Sequence, residues 1–436
     1  MSGTLPRPAG NDFSDFVHER SRAGELVVQP RMGFSAPERM RAGLQAVRAA
    51  RATTVGTITV DSYTRVGDHG SVREALRTGT PLNGYPLVEH GPETNHRLLA
   101  GLAGPDFPVQ LRHGSALPQR LFEAMLAAGL TATEGGPVSY CLPYSRTPLA
   151  EAARAWADGC ELLADRAPAG RPVHLESFGG CMLGQLCPPG LLVALSVLEC
   201  LFFVQHGIGS VSLSYAQQTN PAQDLAAVRA MRRLAAEYLG AVRWHVVIYT
   251  YMGVFPRTRA GALRLLADSV RLARATGAER LVTKTAVEAL RIPTIEENIE
   301  ALELAGEVAG RPDAAAGLSA SAAEEAALHL EARTLIEATL ALHQDVGEAL
   351  VRAVRQGLLD VPYCLHPDNA NQARTLIDET GRLRWRRTGR MPIAAASVST
   401  ATGSPAFELL DQLRYIERRC DGVLPGPARP PRSVTG

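Results

Sequence analysis

The chain has 436 residues, with 45 basic side chains against 44 acidic ones and a net charge of +1, so it lacks the basic excess that nucleic acid attracts. Its 46% hydrophobic and 20% charged residues are those of a water-soluble globular fold, and no run of about 18 apolar residues marks a membrane span. The opening MSGTLPRPAGNDFSDF has no apolar stretch of a secretory signal, and the seven scattered cysteines form no CxxC pair, so a cytoplasmic protein with reduced thiols is expected.

Taken in chain order, short β-branched runs alternate with longer runs of helical spacing. A strand is expected within 25–31, a helix over 36–51 and a strand within 53–65. A loop insertion over 79–91 and a weaker helix over 96–106 precede a strand within 107–115. Then come a helix at 118–129, a strand at 130–136, a helix at 148–166 and a strand at 171–180. The series closes with helix 190–207, strand 209–218, helix 223–240, strand 243–253, helix 259–277 and strand 279–285. Eight strand–helix units predict a parallel sheet with helices outside, and their combined length fits a (β/α)8 TIM barrel better than an open sheet. The expected organisation is an N-terminal arm (1–24), a barrel (25–305), a C-terminal helical and small β region (306–424) and a disordered tail (425–436). A long helical pair over 315–357 and the segment GRLRWRRTGRMPI furnish that C-terminal appendix.

Barrel enzymes carry their chemistry at the C-terminal ends of the strands. Here each expected strand ends in polar residues or glycine, among them Gln29, Asp61, Glu176, Gln217 and Tyr249. Three arginines fall in this set, Arg31, Arg65 and Arg112. A barrel would aim all three at one cavity, and the guanidinium fork matches carboxylates bidentately. Glu134 stands beside two glycines and is placed to receive an ammonium, with Tyr140 and Tyr144 close behind it. Three arginines and one glutamate describe a receptor for an acidic amino acid. No metal site is expected, because His113, His174 and His245 lack any HxH or HExxH spacing. Of the 45 basic residues 44 are arginine, and the one lysine is Lys284, followed four residues on by Glu288. That spacing puts both on one face at the start of a helix. A lysine ending a barrel strand either forms a Schiff base or hydrogen-bonds a cofactor hydroxyl.

The segments QPRMG, DSYTR, LNGYP, VQLRHGS, EGGPVSYCLPYS, FGG followed by CPP, TNPAQD, MGVFP, KTAVEALRIPT and GLLDVPY occur in this order along the chain. Together they resemble the large (epsilon) subunit of glutamate mutase, or methylaspartate mutase, an adenosylcobalamin-dependent family. The resemblance implies a radical interconversion of L-glutamate and (2S,3S)-3-methylaspartate. It implies that Arg31, Arg65 and Arg112 grip the two substrate carboxylates, that His113 is a neighbouring contact, and that Glu134 meets the amine beside Tyr140 and Tyr144. Glu134 and Arg65 are the residues it marks as catalytic. It implies cobalamin or adenosyl contacts from Gly33, Asn83, Pro143, Phe255, Lys284, Glu288 and Ile292. The cobalt-ligating motif DxHxxG is absent from the chain. The resemblance therefore implies a separate small (sigma) cobalamin-binding subunit that carries it, and a heterotetramer built on a homodimer of large subunits. Two other readings stay open: a Schiff-base lyase using Lys284, and a non-catalytic partner-binding barrel.

Overall fold

The computed structural model describes residues 12–167, 171–182, 186–394 and 405–422; the expected tail and the first eleven residues of the expected arm lie outside them. Eight strands alternate with helices: β1 (Val27–Gln29), β2 (Gly56–Thr59), β3 (Val109–Arg112), β4 (Ala132–Gly135), β5 (His174–Ser177), β6 (Ser210–Ala216), β7 (Arg243–Tyr249) and β8 (Arg280–Val282). All pair in parallel, in the order β1-β8-β7-β6-β5-β4-β3-β2. The two edges meet at a parallel bridge between Val28 and Thr54, where the Val28 N–H donates to Thr53 O at 2.8 Å and the Val55 N–H to Val28 O at 3.3 Å. The sheet thus closes into a TIM barrel. Its strands are short and covered on both faces, which is why they read as brief β-branched runs.

The outer helices are Pro37–Ala49, Leu87–Leu99, Gln119–Ala127, Leu149–Arg166, Pro189–Gln205, Pro221–Leu239, Arg259–Thr276 and Ile295–Ala309. Pro189–Gln205 is apolar on every side because it is sandwiched: it packs against the barrel on one face and the later helix Ala322–Leu340 on another. Below the barrel, helix Asp12–Arg22 plugs the N-terminal opening with Phe13, Phe16 and Val17 against Val27, Val55 and Ala132. Phe13 stacks on His174 at 5.2 Å between ring centroids, so His174 packs in the barrel floor.

Three expectations need correction. The loop insertion over 79–91 gives way at Leu87 to a helix that kinks at Gly91 (φ +72°), just before Pro92. The Gly-Pro pair masked this helix, since either residue alone normally stops one. The C-terminal end of the expected strand 53–65 is instead a helical turn, Ser62–Arg65, followed by helix His69–Thr78. Asp61 starts that turn by accepting from the Tyr63 and Thr64 amides at 3.0 and 2.9 Å. Lys284 and Glu288 do not begin a helix. Lys284 lies in the irregular stretch after β8 and Glu288 in the turn that follows it, and the next helix starts at Ile295, behind a capping box of Thr294 and Glu297.

After the barrel come helices Ala322–Leu340 and Val346–Gln356 and the antiparallel pair β9 (Arg374–Ile377) and β10 (Leu383–Arg387). Short helices Pro405–Leu413 and Tyr415–Cys420 follow.

Candidate active site

A cavity of about 230 Å³ opens at the C-terminal ends of the strands, and Arg31, Arg65, Arg112, His113, Glu134, Tyr140, Tyr144 and Asn83 all line it. They arrive from different elements. Arg31 lies two residues past β1, Arg65 on the turn after β2, Arg112 ends β3, Glu134 is in β4, and the tyrosines ride on the loop that follows β4.

Its centre is an ion pair. Arg112 Nε donates to Glu134 Oε2 at 2.7 Å, with Arg112 4% and Glu134 1% exposed. The Tyr140 hydroxyl donates to Glu134 Oε1, and the Tyr249 hydroxyl lies 2.7 Å from Glu134 Oε2. Burial alone would push the Glu134 carboxyl up. The Arg112 charge and the bonds from Arg112, Tyr140 and Tyr249 outweigh it and hold the group below the usual carboxylate range. Glu134 is therefore an anion and acceptor-only at neutral pH.

Around the pair stand donors without protein partners. Arg65 Nε is buried and unpaired among the described residues. The guanidinium lies 6.0 Å from the centre of the Tyr144 ring. Gly114, at φ +72°, lets Arg65 pass, because a Cβ there would lie 2.8 Å from Arg65 Cδ. Burial pushes His113 down to about 4, so it is neutral at pH 7. Its Nδ1 accepts from the Ser115 amide at 3.0 Å, which leaves the proton on Nε2, an atom buried with no partner among the described residues. The ring is packed among Phe122, Tyr140 and Trp156, and the Glu134 backbone beside it opposes part of the downward shift.

The residues expected to meet a cofactor fall in separate places. Lys284 Nζ lies 3.3 Å from Glu288 Oε1, and Arg31 Nη1 reaches the same oxygen at 2.8 Å. Lys284 is 6% exposed, rests 5.1 Å from the centre of the Phe255 ring, and burial pushes it down to about 8 against the opposing pull of Glu288. Ile292 is exposed on the same rim. Asn83 lines the cavity and accepts from the Ser62 amide at 2.9 Å. Gly33 is packed where a Cβ would lie 2.2 Å from Thr59 O, which accounts for glycine there by backbone contact alone. Pro143 is half-buried beside Tyr144 and is not part of the cavity wall.

Phe178 and Met252 complete the apolar side of the wall, and Tyr249 and Glu176 stand directly beneath it. Tyr249 and Glu176 are visible in the sequence as polar strand ends, but nothing in their spacing joins them to Glu134. The loop bearing Tyr140 and Tyr144 is held from outside the barrel. Cys364 Sγ donates to Leu142 O at 3.3 Å, His366 Nε2 lies 2.9 Å from Thr147 O, and Asp368 Oδ2 accepts from the Leu149 amide at 2.7 Å. Inside, Glu199 accepts from the Val138 and Ser139 amides at 3.3 and 2.8 Å.

Residues 7–402 match the family described as Methylaspartate mutase E chain (MutE). The glutamate mutase epsilon subunit of Halobacterium salinarum is 31% identical over 415 residues, covering 90% of this chain and 86% of its own length. That of Haloarcula marismortui is 31% identical over 388 residues (86% and 78%), and that of Yersinia enterocolitica 29% over 400 residues (88% and 82%). Among solved structures, a truncated 3-deoxy-D-arabino-heptulosonate 7-phosphate synthase from Thermotoga maritima is similar at a TM-score of 0.36 and 12% identity, covering 68% of this chain and 89% of that one, a likeness too slight to bear on function. The family match spans the barrel and reaches well into the C-terminal region, and the chain belongs to the methylaspartate mutase E chain family.

Proposed function

We propose that the chain is the catalytic subunit of a glutamate mutase, interconverting L-glutamate and (2S,3S)-3-methylaspartate with adenosylcobalamin that it shares with a separate cobalamin-binding subunit. The observation that carries this reading is the Arg112–Glu134 pair in a small polar cavity. A buried cation and anion that neutralise each other are complementary to a zwitterion. An amino acid offers an ammonium to Glu134 and a carboxylate to Arg112, and so replaces one ion pair with two. Arg65, with Nε unpaired among the described residues, and Arg31, whose Nη1 holds Glu288 while its other donors stay open, remain for a second carboxylate, which makes the fitting ligand an acidic amino acid.

The rim suits a broad, largely apolar cofactor. Val66, Leu117, Val254, Leu290 and Ile292 expose their side chains on the loops after β2, β3, β7 and β8. Glu288 presents acceptor oxygens for ribose hydroxyls, with Lys284 beside it as a donor. When bound, adenosylcobalamin supplies the carbon radical chemistry. The chain's own residues do the holding. A carbon-skeleton rearrangement separates the substrate into two parts, each bearing a carboxylate. Arginine forks from three strand ends keep both parts within reach, which is a positioning task. Tyr140 fixes the Glu134 carboxylate, and the apolar wall of Phe178 and Met252 limits water. Two large and two small subunits complete the assembly in this reading.

The test is to combine the purified chain with a DxHxxG-bearing small subunit, adenosylcobalamin and L-glutamate. Methylaspartate should form only when all are present, and its absence from an assembled complex would overturn the proposal. One observation favours a second reading: the buried Lys284 is pushed down to about 8, the direction in which burial activates a Schiff-base lysine. Borohydride reduction with a 2-oxo acid should leave Lys284 unmodified; a covalent adduct there would favour the lyase.

A further inference from the structure

Beneath the cavity the barrel is filled by an ionic chain instead of apolar layers. Arg280 (β8) and Glu176 (β5) are both fully buried, and Arg280 Nη2 pairs with Glu176 Oε2. The same oxygen accepts from Gln110 Nε2 at 3.2 Å and Ser212 Oγ at 3.4 Å. Glu176 Oε1 meets the Tyr249 hydroxyl, which also lies 2.7 Å from Glu134 Oε2. Tyr249 thus ties two buried ion pairs together, Arg280–Glu176 below and Arg112–Glu134 above.

A pair this deep costs desolvation that apolar side chains of like volume would avoid, so stability is a poor explanation for it. Proton counting gives a better one. Tyr249 has one hydroxyl proton, and two carboxylates face it. The carboxylate that loses the competition meets only oxygen lone pairs. Arg280, Gln110 and Ser212 all donate to Glu176 Oε2 and so lower the pull of that carboxylate on the phenol proton, for which Glu176 Oε1 and Glu134 Oε2 compete.

We infer that Tyr249 is a positioning residue for Glu134, and that the buried Glu176–Arg280 pair sets how firmly it holds. The inference rests on Glu134 being the acceptor for a substrate ammonium. Tyr140 binds Oε1 and Tyr249 Oε2, so the carboxylate stays fixed when Arg112 turns from it to a substrate carboxylate. The device acts on the amine end of the ligand alone. A dicarboxylate without an amine should not sense it.

That difference makes the test. In the assembled enzyme with its cobalamin-binding partner, Tyr249→Phe should raise the KM for L-glutamate about tenfold, the worth of one hydrogen bond to a charged group. Inhibition by glutarate, which lacks the amine, should keep its constant. The acid limb of kcat/KM should move to higher pH, because an anion that loses a donor is easier to protonate. Equal weakening of glutamate and glutarate, or no change in either, would overturn the inference. If Tyr249→Phe does not assemble, Gln110→Leu takes its place: stripping a donor from Glu176 should shift the glutamate-to-glutarate ratio by about threefold, and an unshifted ratio would count against the pair's role. A wild-type complex that does not turn over glutamate would instead sink the underlying functional reading, so the two failures are distinguishable.

Discussion

The two sides of the barrel mouth carry similar charges in different states. On the β3–β4 side, Arg112 and Glu134 are buried, paired at 2.7 Å and saturated by two tyrosines. On the β8–β1 side, the Arg31 side chain is 33% exposed and shares the Glu288 carboxylate with Lys284. The first arrangement is shaped for one small ligand and shielded from solvent. The second is open to solvent at Arg31 and in part at Glu288, while Lys284 beneath them is buried. Buried pairs depend heavily on each partner, whereas exposed ones are screened and weak.

Arg112→Ala should break this contrast most severely. It strands Glu134 in the interior, and denaturant melts should show a loss of about 3–5 kcal/mol together with loss of turnover. Arg65→Lys keeps the charge, removes the fork and disturbs no protein partner of Nε. Its kcat/KM should fall about a hundredfold with an unchanged melt, and undiminished turnover would end the clamp role. Lys284→Met gives a pH signature. Lys284 titrates at about 8 in the folded chain against an ordinary lysine value of 10.5, so the unfolded state holds more of that proton between these limits. The cost of burying the ammonium is then fully present below pH 8 and fades as the pH rises toward 10.5. Lys284→Met should therefore be more stable than wild type at about pH 7, with the gap closing in melts at about pH 10. Arg31→Gln is expected to be the mildest for stability, about 1 kcal/mol or less, while the KM for glutamate still rises.

The fold was legible because each barrel strand is bounded by strong helices, and the spacing of Pro37–Ala49 or Arg259–Thr276 leaves little choice. The β2 connection was harder to read. Its helices are short or broken at Gly91-Pro92, and local signals there favour a loop. Polar strand ends located Arg31, Arg112 and Glu134, since a barrel makes all such ends converge. The rest depended on packing across the barrel axis. No spacing reveals that Tyr249 reaches Glu134 from the opposite wall, or that Glu288 serves both Lys284 and Arg31. Arg280 is an extreme case: one arginine among 44, and fully buried.

The contacts of Cys364, His366 and Asp368 on the Leu142–Leu149 loop join residues more than 200 positions apart. During synthesis, the strands and helices of the barrel can form while this segment is still on the ribosome. The tyrosine-bearing loop then lacks its outer brace. Substrate affinity should accordingly arrive late, once the C-terminal region has emerged and closed its long-range contacts. A nascent barrel would lack the braced loop until the segment bearing Cys364, His366 and Asp368 has emerged, so that a formed cavity also reports that this segment is in place.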